Sequence, residues 1–186
     1  MIGFAFCGSY CTFAPAFAAL RRLAEQGEEL LPIFSFNAAS TDTRFGHAAD
    51  FIREAEAICH RPPVLTIPDA EPLGPALPLD ALLIAPCTGN TLAKLAHGIT
   101  DSAVTMAAKA HLRNGKPLVI AVSTNDGLGT SAKNIGMLMN MQNIFFVPFN
   151  QDDPIKKPNS LVADMTKIIP AVECALDKVQ IQPLFY

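Results

Sequence analysis

Short apolar runs in this chain end repeatedly in small hydroxyl and amide side chains, and the richest such end is Pro86-Cys87-Thr88-Gly89-Asn90-Thr91. Thr88, Asn90 and Thr91 stand where a helix begins. Hydroxyls and free backbone N–H groups there make an anion site that needs neither Lys nor Arg. Capping alone accounts for one of these residues, not for the whole run. Val122-Ser123-Thr124-Asn125-Asp126-Gly127 has the same character directly after another apolar run. Cys7-Gly8-Ser9 puts a small residue and a hydroxyl at a strand-to-helix turn, although an ordinary tight turn explains it equally well. Gly3 and Gly8 lack the spacing of a dinucleotide fingerprint, and no Walker A motif is present. Ser35 ends a fourth run and leads to Thr41-Asp42-Thr43-Arg44, where hydroxyls, a carboxylate and a guanidinium meet. Arg44 is the residue type for bidentate carboxylate recognition; a solvated loop with a helix cap is the competing reading. Polar small residues at successive strand ends describe, by placement, a site for a phosphate-bearing cofactor.

Such a site needs strands and helices in alternation. Residues 2–7, 30–36, 81–85, 118–122 and 144–148 read as strands, with 64–67 as a short further one. Pro86 is expected to end its strand. Residues 12–26, 46–59, 90–96, 102–113 and 131–141 read as helices; Phe13, Phe17, Leu20 and Leu23 recur at helical spacing before Gly27 stops the first. Residues 160–178 read as a last helix, kinked or split at Pro170. Residues 69–78, with three prolines, and the polar 149–158 read as loops. Strands that are apolar throughout belong to a parallel sheet covered on both faces. The expected fold is α/β: one domain over 1–186, a three-layer αβα arrangement with a Rossmann-like or flavodoxin-like sheet. In such folds ligands bind beyond the carboxyl ends of the strands.

Composition narrows the function classes. The chain has 186 residues, half of them hydrophobic and 17% charged, against roughly 25% in an average domain. A sheet buried on both faces, or apolar surface covered by other subunits, would each explain the low charge. Residues 137–141 and 144–149 are the expected subunit contacts. A net charge of −3 and no basic run longer than the pairs Arg21-Arg22 and Lys156-Lys157 argue against a nucleic-acid binder. No apolar stretch is long enough for a membrane span, and no signal-peptide pattern stands at the N-terminus. Five scattered cysteines make no disulfide framework, so a cytoplasmic, reducing setting is expected.

Residues 85–101 resemble the central motif of the homo-oligomeric flavin-containing Cys decarboxylase superfamily, Pro-x-Ser/Thr-Ala-Asn-Thr-x-x-Lys-x-x-x-Gly-x-x-Asp. Here it stands as Pro86-Cys87-Thr88-Gly89-Asn90-Thr91, then Lys94, Gly98 and Asp101. Of the superfamily's later Pro-Ala-Met-Asn motif only Asn125 matches, in Val122-Ser123-Thr124-Asn125. The segments 41–46, 70–75, 123–126 and 151–162 narrow the resemblance to a branch whose members serve as one half of a two-component, dicarboxylate-forming enzyme of sporulating bacteria. The resemblance implies FMN, held by Gly8, Ser9, Ser35, Thr88, Gly89, Asn90, Thr91, Ser123 and Thr124. It also implies a homo-oligomer, trimer or dodecamer, and a partner protein with its own nicotinamide-binding domain.

The superfamily's decarboxylases carry a catalytic His shortly before the strand that leads into the central motif. The corresponding stretch, 71–78, contains none, and Thr124 replaces the Met of the later motif. These departures argue against a decarboxylase, and the resemblance to the two-component branch implies an oxidoreductase, with Arg44 and Asn125 holding the carboxylates of a small dicarboxylate substrate. Asp42 or Asp126 would accept the proton. A non-redox component for substrate binding or assembly and a flavin-dependent decarboxylase are the alternatives. Cys7, Cys11 and Cys87 read chiefly as packing residues. His47, His60, His97 and His111 lack metal-ligand spacing, and no metal site is expected. Lys94 is read as a structural or inter-subunit residue or as a cofactor contact.

Overall fold

In the computed structural model, which describes every residue but Pro75, three strands carry the fold. β1 (Ile2–Phe6), β3 (Ala81–Cys87) and β4 (Leu118–Thr124) are apolar almost throughout and buried along nearly all of their length. With β2 (Leu30–Phe34) and β5 (Ile144–Phe146) they form a parallel sheet in the order β2-β1-β3-β4-β5. β4 holds two neighbours on one edge. β5 lies along Leu118–Ile120, and β7 (Leu161–Ala163) pairs antiparallel with Ser123 and Thr124, followed by β6 (Phe149–Asn150).

Helices cover both faces. α1 (Phe13–Glu25) packs against α3 (Ala48–Cys59) and α8 (Ile168–Leu176). On the other side α6 (Ala103–Leu112) packs against α4 (Ile67–Ala70) and α5 (Gly89–Ala96), and α5 against α7 (Ala132–Met139). Gly3 of β1 is hemmed in by side chains on and before the neighbouring strand β3. A Cβ there would lie 2.7 Å from Leu79 Cδ1 and 2.8 Å from Leu82 Cδ1. Stacked and edge-to-face rings of Phe4, Phe6, Phe13, Phe17, Phe34 and Phe51 fill the space between β1, α1 and α3, with centroids 4.7–6.2 Å apart. Burying a Phe side chain contributes roughly 1.5–3 kcal/mol.

Several expectations are corrected. β3 runs on through Pro86, with its pairing to β4 shifted between Ile84 and Cys87. Pro86 still accepts a hydrogen bond from Cys7 N–H at 3.2 Å, and its missing donor falls at the irregularity. Residues 160–178 are not one helix: β7 and a 3-10 turn (Met165–Lys167) precede α8. Pro170 is the third residue of α8, in the first turn, where no intrahelical N–H is needed. Ser35 caps an unexpected helix α2 (Phe36–Ser40), accepting from Ala38 N–H at 3.3 Å. Val64 makes only an isolated bridge to Ile33, and the expected loop 69–78 opens with the end of α4. Pro75, in that loop, lies outside the described residues. In the segment 144–149, Ile144, Phe145, Phe146 and Phe149 are buried in the chain's own core, while Met137 and Met141 of the other expected contact reach the surface.

Candidate functional site

The order β2-β1-β3-β4-β5 reverses direction between β1 and β3, so the switch point lies beyond their carboxyl ends. A cavity of about 510 Å³ opens there, a size suited to a small-molecule ligand. Gly8 comes from the turn after β1, and Ser35, Phe36 and Asn37 from the start of α2. Thr88, Asn90, Thr91 and Lys94 come from α5, and Asp101 and Ser102 from the approach to α6.

The local sequence explains these placements. Thr88 is the N-cap of α5: its Oγ1 accepts from Thr91 N–H at 3.3 Å, and its carbonyl from Leu92 N–H at 2.9 Å. That leaves the N–H groups of Gly89 and Asn90, with the positive end of the helix dipole, for an acceptor in the cavity. Ser102 forms a capping box with Thr105 at the start of α6. Lys94 is the one cation lining the cavity among the described residues, and its Nζ lies 2.8 Å from Asp101 Oδ1. The hydrogen bond from Lys94 holds the Asp101 carboxyl below its ordinary range. Phe36 adds an apolar surface at the lip, 74% exposed.

Of the cofactor contacts expected from the sequence, Gly8, Ser35, Thr88, Asn90 and Thr91 line this cavity. Thr91 is partly committed elsewhere, since its Oγ1 donates to the buried Cys7 Sγ at 3.3 Å. Ser9 and Ser123 face each other, Oγ to Oγ at 2.8 Å, with Thr12 Oγ1 3.2 Å from Ser123. Thr124 donates to Asp126 Oδ1, and Ser131 Oγ donates to the same oxygen at 2.8 Å. Gly89 is the floor beneath that cluster. A Cβ on it would lie 2.6–2.8 Å from Ser131 Oγ, Thr124 Oγ1 and Asp126 Oδ1.

The four residues expected to be catalytic stand outside the cavity wall. Asn125 is exposed on the turn after β4. The hydrogen bond from Thr124, assisted by Ser131, keeps the Asp126 carboxyl below its ordinary range. Asp42 binds the start of α3, accepting from Ala48 N–H at 2.9 Å and lying 3.1 Å from His47 Nδ1. Those contacts lower the Asp42 carboxyl and raise the His47 imidazole. Arg44 is exposed, its guanidinium 4.9 Å from the Phe45 ring centroid.

Cys7 and Cys87 are buried at adjoining strand ends. Burial pushes the Cys7 thiol up to about 11 and the Cys87 thiol well above its ordinary value, so neither supplies a thiolate near neutral pH. A larger cavity of about 580 Å³ lies beside β5, lined by residues such as Met139, Met141, Phe145 and Lys178, away from the strand ends that bind ligands in this fold. Sequence reasoning missed Phe36 and Asn37. The signal was present in Ser35, a capping residue followed by a short helix-forming run rather than by a loop.

The geometry has relatives. The flavoprotein family profile matches residues 37–179. The B subunit of dipicolinate synthase from Bacillus subtilis (strain 168) is 48% identical over 183 residues, 98% of this chain and 92% of that protein. A crystal structure of the same B subunit from Bacillus halodurans superimposes with a TM-score of 0.91 at 45% identity, covering 100% of this chain and 95% of that one. The FMN-dependent cysteine decarboxylase SpaF shares the fold, with a TM-score of 0.67 at 23% identity over 95% of this chain and 94% of that one. No helix is long and apolar enough to cross a membrane among the described residues.

Proposed function

The chain belongs to the flavoprotein family, and from that premise we propose that it is the FMN-binding component of a dipicolinate-forming oxidoreductase. It would act in sporulating cells as a homo-oligomer, together with the A subunit of dipicolinate synthase. The observation that carries the reading is the cavity at the β1–β3 switch point, whose donors are hydroxyls, amides and one paired Lys. That donor set fits a phosphate ester. The Gly89 and Asn90 N–H groups, the Thr88 and Ser102 hydroxyls and Lys94 would hold the phosphate, while Phe36 offers its ring to a planar group.

A bound flavin supplies a two-electron acceptor. Loss of two hydrogens from a dihydro precursor, or of water and two hydrogens from a hydroxytetrahydro one, gives an aromatic pyridine and is downhill, so the chain's task is chiefly positioning. Arg44 and Asn125 would receive the substrate carboxylates. Asp42, 3.1 Å from His47 Nδ1, would accept the proton. Asp126 instead anchors the turn that carries Asn125.

The test is a spectrum of the purified chain incubated with FMN, followed by anaerobic addition of precursor together with the synthase's A subunit. A flavin spectrum that bleaches on addition is the expected result. A colourless chain sinks the flavin assignment and leaves a component for substrate binding or assembly. Carbon dioxide release from a peptidyl-cysteine substrate would instead make the chain a decarboxylase. Lys94→Met should weaken FMN binding about tenfold, the scale of one charge-assisted hydrogen bond.

A further inference from the structure

The larger cavity, about 580 Å³, lies along β5. β5 has β4 on one side and no strand on the other among the described residues. The Asn143 carbonyl accepts from Leu118 N–H at 2.8 Å, and Val147 N–H donates to the Ile120 carbonyl at 3.0 Å. Asn143, Phe145 and Val147 therefore face β4, and Ile144 and Phe146 face the free edge. Phe146 is covered: its N–H donates to Gln180 Oε1 at 2.8 Å, and Gln180 Nε2 donates to its carbonyl at 2.7 Å. One side-chain amide thus stands in for a neighbouring strand. Ile144 has no such substitute. It lines the cavity and is 7% exposed, and its N–H and carbonyl have no hydrogen-bond partner among the described residues. Backbone groups so placed are nearly always paired, and an open strand edge is a template for another extended chain.

A cation stands beside this gap. Lys178 is the one charged residue lining the cavity among the described residues. It follows α8 in the left-handed region, at φ 61°, in a turn closed by Val179 N–H on the Cys174 carbonyl at 2.9 Å. Its Nζ donates to the Gly115 carbonyl at 2.5 Å and to Asn143 Oδ1 at 2.8 Å. Asn143, the residue before Ile144, is itself left-handed at φ 62°. Two neutral acceptors thus fix the ammonium at the amino end of β5 and leave its charge and its third N–H unspent. Lys178 enters no ion pair among the described residues. Met139, Met141 and Leu184 add apolar wall.

We propose that this groove takes the carboxyl-terminal end of an extended peptide whose last residue is apolar. Run antiparallel to β5, the peptide's penultimate residue exchanges both backbone hydrogen bonds with Ile144. The last residue then stands opposite Asn143, which brings its carboxylate to Lys178 and leaves its side chain for the apolar wall. Gln180 confines the pairing to that one exchange, so the carboxylate and the last side chain carry most of the affinity. A free acid satisfies Lys178 and leaves Ile144 unpaired. An internal peptide segment does the reverse. A chain terminus meets both requirements, and neither involves the strand-end cavity or a bound flavin.

The probe is a fluorescein-labelled peptide, Gly-Ser-Gly-Thr-Val-Leu, with a free carboxyl end, titrated with the full chain and read by fluorescence polarisation. Saturable binding is expected, and about tenfold weaker binding for the same peptide with a carboxamide end. Methylating the amide nitrogen of the penultimate Val should cost severalfold, through the lost bond to the Ile144 carbonyl. In Lys178→Met the acid and the carboxamide should bind equally, at the carboxamide's affinity for the parent chain, and Lys178→Arg should restore the preference. Hydrogen exchange at the Ile144 amide should slow severalfold with peptide bound. Absence of saturable binding in the sub-millimolar range overturns the proposal, as does a carboxamide that binds as tightly as the acid, or a preference that survives Lys178→Met. Octanoate displacing the peptide with equal affinity would make this a site for free acids and overturn it. So would Lys178→Glu dispersing an oligomer of the chain on sedimentation, which would seat a second copy on the groove.

Discussion

Ser9 and Ser123 are 114 residues apart in sequence, yet their hydroxyl oxygens lie 2.8 Å apart. Ser9 follows β1 and Ser123 lies in β4, strands that are not neighbours; β3 runs between them. The contact therefore crosses the carboxyl end of β3, and Thr12 joins it at 3.2 Å. Two hydroxyls that look like cofactor donors in the sequence, Ser9 and Ser123, bond to each other and to Thr12 and do not line the cavity.

Ser123→Ala should accordingly act on stability more than on binding. Removing a hydroxyl 3% exposed and bonded to two others should cost about 1 kcal/mol in urea unfolding. FMN affinity should change less than in Thr88→Ala. A large loss of affinity without loss of stability would place the Ser123 hydroxyl on the ligand instead.

Gly89→Ala should be damaging although Ala is the better helix former. The new methyl would meet Ser131 Oγ, Thr124 Oγ1 and Asp126 Oδ1 at 2.6–2.8 Å. Either α5 or the turn after β4 must move, at a cost of typically about 1–3 kcal/mol. Thermal unfolding of the variant tests this, and a melting point at or above that of the parent chain rules it out.

The start of α3 should show a pH window. Asp42 is lowered from an ordinary 3.8 by the Ala48 N–H and by His47, so its contribution is present above 3.8 and fades as pH falls through the native value. His47 is raised from 6.5 by Asp42, so its contribution is complete below 6.5 and fades as pH rises through the native value. Hydrogen exchange at Ala48, corrected for intrinsic rate, should be slowest between these limits. His47→Ala should remove the alkaline limb and keep the acid one.

Pro170→Ala should be close to neutral, within about 0.5 kcal/mol. In the first turn of α8 proline interrupts no intrahelical hydrogen bond. A stabilisation of several kcal/mol, as expected on relieving a mid-helix proline, would contradict the helix start at Ile168.

Much of this protein is written locally in its sequence. The uncharged runs of β1, β3 and β4 declare a sheet buried on both faces, since burying an unpaired charge costs too much to tolerate there. Capping hydroxyls such as Thr88 and Ser102 mark helix starts through contacts only three residues long. What lies beyond each strand end is likewise legible, because a parallel sheet brings those ends together. The partner of each polar group there is not. Whether a Ser meets a ligand or another Ser depends on residues a hundred positions away, as Ser9 and Ser123 show. Asp126 reads as a proton acceptor until Thr124 and Ser131 are seen to hold it. Arg21 and Arg44 are both guanidiniums in the sequence, and only packing sets Glu54 against one and the Phe45 ring beside the other. Short-range patterns select the elements; hydrogen-bond pairing and close packing, both long-range, decide which side chains remain for chemistry.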